Sequence, residues 1–339
     1  MSRRRKTLTK AQKKKLLSLF MAAVVICAAW FMTTRGQSIQ PLVEYFPFLE
    51  EIFPQERVPV SAPASGDRLR IHILDVGQAD CILIQGPEKT MVIDGGESKN
   101  APDIIRYLQD QGVERIDYYL NTHPHSDHYG GITQVMQAIP TGEFFHHPVP
   151  EENTPTTRGY QKLIQYLVDS KTKTTVLDPG DTIDLGGGAV LSYLAPLEEY
   201  DDMNNNSLVG RLVYGKRAFL FTGDAERKSE NAILESGVEL SADVYSIPHH
   251  GSNTGMSQKF LDAVDPEFAT ISVGEGNDYG HPHQDTLERL HKAGVPCLRT
   301  DLLGNIVIET EGESLVIVTD QGQVIKSADG GFDLVQPER

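Results

Sequence analysis

The run Thr122-His123-Pro124-His125-Ser126-Asp127-His128 brings three imidazoles and a carboxylate into seven consecutive positions. An extended His-x-His puts two imidazoles on one side of a turn, and the Asp-His that follows puts a carboxylate and a third imidazole on the other. Neutral imidazole is an ordinary donor for zinc-like cations, and a ligand set with few anions leaves such cations strongly Lewis-acidic. One loop cannot close two coordination spheres, so further ligands must come from elsewhere in the chain. Phe219-Leu220-Phe221-Thr222-Gly223-Asp224 is an apolar strand ending in a carboxylate, and Val244-Tyr245-Ser246-Ile247-Pro248-His249-His250-Gly251-Ser252 is one ending in two imidazoles. Taken singly, Asp224 reads equally well as a helix cap. With the histidine loop, the three stretches point to a centre for two metals with Asp224 placed to bridge them.

The elements that must position these residues are short. Strands are expected at 68–74, 81–85 and 90–93, with Gly86-Pro87 turning a hairpin, then a helix at 102–111 with Ile104, Ile105 and Leu108 on one side. A strand at 116–120 leads straight into the histidine loop, and a helix opens near Gly130-Gly131. Further strands are expected near 190–195, 207–214, 217–222, 243–247, 268–273 and 305–319, and helices near 158–169, 226–235, 257–264 and 284–292. Strands in two batches, each with its helices, predict an α/β fold of two sheets face to face with helices outside, a four-layer αββα sandwich. Three cysteines, of which Cys81 and Cys297 fall in or near strands, imply no disulfide framework.

Apolar residues make up 39% of the 339 positions and no repeat is present, which excludes fibrous and disordered classes. The formal net charge is −16, yet the first fifteen residues alone carry +8, so the remainder carries −24. A body that acidic does not attract polyanions through its overall field, and any phosphate binding must come from a local feature such as bound cations. Residues 1–15 read as a basic cytoplasmic tail and 16–33 as an apolar transmembrane anchor, whose cationic flank predicts that everything after it lies outside the cell. A cleaved signal, cut before Trp30, is the alternative, and would leave a secreted protein. Residues 34–67, with Pro41, Pro47, Pro54, Pro59 and Pro63, read as a linker, 68–320 as the globular domain and 321–339 as a C-terminal tail.

Seven motifs in order over some 240 residues, Leu74-Asp75-Val76-Gly77-Gln78-Ala79-Asp80, Ile93-Asp94-Gly95-Gly96, the His123 to His128 run, Asn205-Asn206-Ser207-Leu208-Val209, Thr222-Gly223-Asp224, His249-His250-Gly251-Ser252 and Gly280-His281-Pro282-His283, resemble the metallo-β-lactamase-fold hydrolases. Within them the chain resembles the soluble domain of the ComEC-type competence proteins. The resemblance implies the αββα fold with two divalent ions, Zn or alternatively Mn, in the groove between its halves. By position, His123 and His125 would hold one ion, Asp127 and His128 the other, and Asp224 would bridge. His250 would complete the second sphere, with His249 as its alternative or as a catalytic neighbour. Many relatives place one more histidine on the first ion. Here none occurs between Pro148 and Pro248, which leaves that place to water or to Asn205 or Asn206. The competence proteins also carry a multi-helix membrane channel, which this sequence does not show, so DNA transport by this chain alone is not implied.

The implied chemistry is hydrolysis by a hydroxide shared between the ions, with Asp127 orienting it and His249, Asn206, Asn277 and His281 as candidates to contact the substrate or protonate the leaving group. Asp75 and Asp94 are expected to orient imidazole N–H groups or the backbone around the site. Ser252 reads as a turn residue, His283 as part of a helix-entry loop, and His146 and His147 as solvated. The expected function is a membrane-anchored extracellular phosphodiesterase or nuclease, with a phosphodiester such as single-stranded DNA as partner, the membrane reached through the N-terminal helix, and no protein partner. Hydrolysis of a wall-polymer or choline-type phosphodiester is a second reading, and a noncatalytic metal-stabilised surface module a third. β-Lactam hydrolysis is a fold-level analogy. If the anchor reading holds, protease added to intact cells removes the globular domain; full protection would overturn the outward orientation.

Overall fold

The computed structural model describes residues 68–148, 150, 153–326 and 332–335. The tail, apolar run and linker expected at 1–15, 16–33 and 34–67 lie outside the described residues. Among the described residues, no helix is long and apolar enough to cross a membrane.

The first batch of strands is β1 (Leu69–Ile73), β2 (Ile82–Gln85), β3 (Thr90–Ile93), β4 (Ile116–Leu120), β5 (Thr141–His146) and β6 (Lys173–Val176). The second is β7 (Thr182–Asp184), β8 (Val190–Ala195), β9 (Val209–Tyr214), β10 (Arg217–Phe221), β11 (Val244–Ser246), β12 (Phe268–Ile271) and β13 (Cys297–Arg299). The chain then returns to the first sheet as β14 (Ile306–Thr310), β15 (Leu315–Thr319), β16 (Gly322–Lys326) and β17 (Phe332–Val335). One sheet runs β17-β16-β15-β14-β1-β2-β3-β4-β5-β6 and the other β13-β12-β11-β10-β9-β8-β7. Helices α1 (Ala101–Asp110), α2 (Ser126–Tyr129), α3 (Ile132–Ala138) and α4 (Arg158–Ser170) follow strands of the first sheet. Helices α5 (Arg227–Ser236), α6 (Gln258–Val264), α7 (Gln284–Ala293) and α8 (Thr300–Leu303) follow strands of the second.

Side-chain alternation explains the layers. In β1, Leu69, Ile71 and Ile73 join Ile84, Met91, Leu191, Leu212, Phe219 and Phe221 in the core between the sheets. Leu83, Val92, Tyr119 and Phe144 face the other way, onto Ile104, Leu108, Ile132, Val135 and Leu163 of the helices. On the second sheet Leu220, Tyr245 and Ala269 pack on Ile233, Phe260, Leu261 and Leu290. Three apolar cores thus separate four layers. At one end the sheets are fastened by backbone: a Cβ at Gly215 would lie 2.6 Å from the Gly312 Cα, and the Lys216 N–H donates to the Gly312 carbonyl at 2.7 Å.

Three expectations need correction. The single strand at 305–319 is a hairpin, β14 and β15, folded at the Glu311 to Ser314 turn, where Gly312 takes φ +94°. The stretch at 321–339 is not wholly a tail, since a tight turn at Asp320-Gln321 lets β16 pair with β15, and β17 pairs with β16. Strands β5, β6 and β7 were not foreseen: Lys173-Thr174-Thr175-Val176 is an exposed edge with little apolar signal, β7 is only three residues long, and β5 opens on Thr141-Gly142-Glu143. Cys81 and Cys297 are free thiols, as the sequence suggested.

The helix-facing side of β1 also buries His72. Its Nε2 lies 3.1 Å from Gln85 Oε1 and its Nδ1 3.0 Å from the Tyr107 hydroxyl. Burial first, and the Arg70 charge in addition, push its pKa from 6.5 down to about 3 against the Gln85 hydrogen bond. The unfolded chain therefore binds the extra proton between those two pH values, and stability falls as pH drops through that window. Between pH 7 and 5, urea unfolding should lose about 2 kcal/mol more in the wild type than in His72→Gln; equal losses would refute the assignment.

Candidate metal centre

The ligand-bearing segments sit at the C-terminal ends of neighbouring parallel strands, where loops of both sheets meet. The His123 to His128 loop leaves β4, Asp224 leaves β10, and His249 and His250 leave β11. Glycine lets these loops close in. A Cβ at Gly131 would overlap the Gly95 carbonyl oxygen, so only glycine allows the start of α3 to lie against the end of β3. His249 and His250 both hold positive φ, +51° and +52°, followed by Gly251 at +81°. Consecutive non-glycine residues in that region are strained, and such strain persists where the surroundings over-determine it.

One carboxylate sets the histidine loop. Asp94, itself at φ +57°, accepts from the Thr122 N–H at 2.8 Å, the Thr122 hydroxyl at 2.6 Å, the Asn121 amide at 2.9 Å and His128 Nδ1 at 2.8 Å. These contacts fix which ring nitrogens are bare. With its Nδ1–H given to Asp94, His128 turns an Nε2 lone pair toward Asp224 Oδ1, 3.3 Å away. Neither of those two buried atoms has a hydrogen-bond partner. His250 gives its Nδ1–H to the Ser272 carbonyl at 2.9 Å, and its Nε2 lies 3.3 Å from Asp127 Oδ2; against burial, that contact and the Asp224 charge raise His250 to about 9, so Nε2 is a bare donor only where a cation takes the place of its proton. The Thr122 hydroxyl spends its hydrogen on Asp94, which leaves its oxygen to accept from His123 Nδ1 at 3.2 Å. His123 Nε2 then faces His125 Nδ1 at 2.8 Å and Asp224 Oδ2 at 3.6 Å.

Lone pairs converging in a buried space require positive charge between them. Among the described residues three sets of donors have ligand atoms within 4.8 Å of one another: His123, His125 and Asp224; Asp127, His128 and His250; and Asp80, Asp94 and His128, the last drawn together by the His128 Nδ1 contact with Asp94 that orients the ring. Nitrogen and carboxylate oxygen in threes suit a pair of divalent cations, and the sets are compatible with a binuclear metal site. The electrostatics agree. Burial, then the neighbouring His128, hold His123 well below its ordinary value, and burial lowers His125, so both are neutral donors. Burial opposes charge on Asp224, but His128 and His123 hold it well below the carboxylate range, and Asp127 is likewise lowered through His250 and His128. Against burial, Asp224 and Asp94 raise His128 well above 6.5. The field that would hold a proton there attracts a metal ion equally.

His249 and His250 part company. His249 Nδ1 lies 3.0 Å from Glu226 Oε1, and its Nε2 lies 3.9 Å from Asp224 Oδ2, on the side of His123. Glu226 and Asn204, whose amide also lies 3.4 Å from His249 Nδ1, were missed by sequence reasoning; Glu226, two residues after Asp224, passed as part of a helix start. Asp80 was missed in the same way. It lies 3.5 Å from His250 Nδ1, and burial raises it to about 6 although His250 and His128 pull it down.

Several expected residues do other work. Of the two roles expected of it, Asp75 takes the backbone one: it is exposed, and its carboxylate caps the Gly77 N–H rather than any imidazole. The Asn206 amide is consumed inside its own loop by the Tyr200 N–H and the Tyr200 and Asp202 carbonyls, and Asn205 by Asp202 and Ser229. Neither is free to meet a substrate or a metal. Asn277 holds the 274–281 loop, donating to the Gly274 and His281 carbonyls and accepting from the Tyr279 and His281 N–H groups. His281 does reach the centre, 5.5 Å from the His249 ring and 6.4 Å from the His250 ring. Gln78 fixes its tautomer: the Gln78 carbonyl accepts from the Gly274 N–H, so its amide NH2 donates to His281 Nδ1 at 3.2 Å and leaves the proton on Nε2. Burial, then His249 and His250, lower His281 to about 4, keeping it neutral. His283 Nδ1 accepts from the Asn253 N–H, and Ser252 accepts from Thr254, as a turn residue does. His146 and His147 are packed rather than solvated, one stacked on Phe144 and the other against the Leu177 carbonyl.

Residues 74–275 match the family model described as the metallo-β-lactamase superfamily. Competence protein ComA of Neisseria gonorrhoeae is 29% identical over 293 residues, covering 84% of this chain and 38% of that protein. ComE operon protein 3 of Bacillus subtilis is 27% identical over 270 residues, covering 72% and 33%. The chain thus spans about a third of the length of these ComEC-type relatives. Among solved structures, the metallo-β-lactamase fold protein YhfI from Bacillus subtilis aligns at 12% identity over 71% of this chain and 100% of that one, with a TM-score of 0.48.

Removing a group that orients a ligating histidine typically weakens metal binding by about 10–100-fold. Asp94→Ala should do so in chelator competition, whereas Asp75→Ala should leave affinity within about twofold. The opposite ranking would refute the placement of these two carboxylates.

Proposed function

The chain belongs to the metallo-β-lactamase superfamily, and from that footing we propose a metal-dependent phosphodiesterase acting on nucleic acid or an oligonucleotide. The observation that carries this reading is the pair of three-donor sets that meet at Asp224. His123, His125 and Asp224 would hold one divalent ion, and Asp127, His128 and His250 the other, with zinc the first candidate and manganese the alternative. When bound, the ions would supply Lewis acidity toward a phosphoryl oxygen and a water acidic enough to be deprotonated near pH 7.

The protein groups divide the remaining work. Asp127 is only partly buried, so its carboxylate borders both the ligand cluster and solvent, and can orient the attacking water. His249, steadied by Glu226, presents Nε2 beside Asp224, where it can hold the proton that the leaving oxygen needs. His281 offers a neutral Nε2–H to a non-bridging oxygen. This division also meets the difficulty raised by the −24 body, because cations held by those donors would supply a local positive charge for a single diester without a basic surface.

Likeness to competence proteins supports nucleic acid as the diester. Residues 16–33 support an anchored catalytic domain outside the cell, or a secreted one if that segment is cleaved. The acidic composition favours a wall-polymer or choline-type diester as the second reading.

The test uses the purified chain with single-stranded DNA and bis-p-nitrophenyl phosphate. Asp127→Ala and Asp224→Ala should each lower kcat/KM by roughly two orders of magnitude or more, beyond the effect usual for an outer partner. Chelation should abolish turnover and re-addition of metal restore it. Cleavage of the small diester without cleavage of DNA would favour the second reading; metal binding without turnover of any ester would leave a noncatalytic module.

A further inference from the structure

Among the described residues Tyr279 is the most exposed large hydrophobic side chain, at 70%. An isolated exposed aromatic ring on a loop is unremarkable by itself, but this one is neither isolated nor loosely held. Its ring stacks on His281, with centroids 5.7 Å apart and planes at 23°. His281 is next to His249 and His250. The loop that carries both rings is set by the four hydrogen bonds of Asn277 and by Gln78, which ties the Gly274 N–H and His281 Nδ1 together. Gly276 and Gly280, at φ +62° and +72°, make the turns on either side of Tyr279. The result is a pair of stacked rings running from beside His249 and His250 to the exposed Tyr279.

We propose that Tyr279 is the stacking platform for the nucleobase attached to the scissile phosphate, which makes a planar base, rather than a bare diester, the preferred substrate. This rests on the phosphodiesterase reading and specifies its substrate class. The charge of the loop supports stacking over ionic capture. Asp278 adjoins Tyr279, Glu275 lies four residues before it and the loop carries no Lys or Arg, so apart from the neutral His281 it offers no cationic side chain to a phosphate backbone. A neutral π-face needs no such charge, and aromatic stacking tolerates any base. A quaternary ammonium group would also be drawn to carboxylates and an aromatic face, but recognition of that kind uses a cage of several rings. Among the described residues Tyr279 is the only large aromatic that stands exposed.

Three p-nitrophenyl diesters that share a leaving group separate the outcomes: thymidine 5′-phosphate, methyl phosphate and phosphorylcholine. With the metal-loaded full chain, Tyr279→Ala should raise KM for the thymidine ester roughly 5- to 150-fold, the range that base–aromatic stacking supplies, with kcat held within about twofold. The methyl ester should be unaffected, and Tyr279→Trp should restore the thymidine ester. Equal effects on thymidine and methyl esters, no effect on either, or an effect confined to phosphorylcholine would overturn the proposal while leaving the phosphodiesterase reading in place. Should the wild type hydrolyse none of the three, that reading fails instead. Calorimetric binding of a thymidine dinucleotide then decides the platform by itself: a Kd unchanged in Tyr279→Ala overturns it, and a Kd raised by the same factor supports it.

Discussion

A carboxylate oxygen and an imidazole nitrogen, both buried and both presenting lone pairs across 3.3 Å, cannot rest without positive charge between them. That constraint between Asp224 and His128 governs the rest of the centre. It is imposed from behind, because Asp94 takes the only N–H that His128 has in its neutral form, and the Ser272 carbonyl does the same for His250. Bare nitrogens therefore point inward by design of the second layer of contacts. The fold supplies the means: the ligands leave the ends of β4, β10 and β11, and Asp94 and Ser272, which fix the tautomers, leave the ends of the parallel neighbours β3 and β12.

What could be read before the structure was whatever is local and dense. The histidine loop, Asp224 after its apolar strand and the His249-His250 pair announce themselves because residue type and position after a strand coincide. Alternating strands and helical spacing gave the two sheets for the same reason. The orienting groups were legible only in part. Asp94 was assigned correctly as an orienting group, but Asp75 was preferred to Asp80 although both are acids in one short motif, and only the turn at Gly77 decides which faces the imidazoles. Asn205 and Asn206 have the chemistry of ligands, yet an amide's availability depends on its own loop, and theirs is spent on Tyr200, Asp202 and Ser229. Glu226 and Gln78 act through histidines 23 and 203 residues away in sequence, a separation that no local pattern spans.

Strain and function coincide at the His249 to Gly251 turn. Left-handed backbone at two successive histidines turns their rings to opposite sides of Asp224, one toward His123 and the other toward Asp127. An ordinary extended chain would send alternate side chains to opposite faces of the sheet instead, and one of the two rings would miss the centre. The cost of this conformation is offset by the hydrogen bonds that the turn makes, from the His249 N–H to the Gly223 carbonyl and from the His283 N–H to the Gly251 carbonyl.

The two donor sets draw on both sheets: the loop after β4 belongs to one, and Asp224 and His250 to the other. Ion uptake would then act as a clasp closing the mouth of the sandwich, opposite in character to the backbone fastening at Gly215 and Gly312, which needs no ion. Any species that binds the folded form alone adds to its stability in proportion to the logarithm of its free concentration. Rigidity at the mouth would thus report the cation supply of the surroundings, so that the polypeptide acquires its final stiffness where those cations are plentiful.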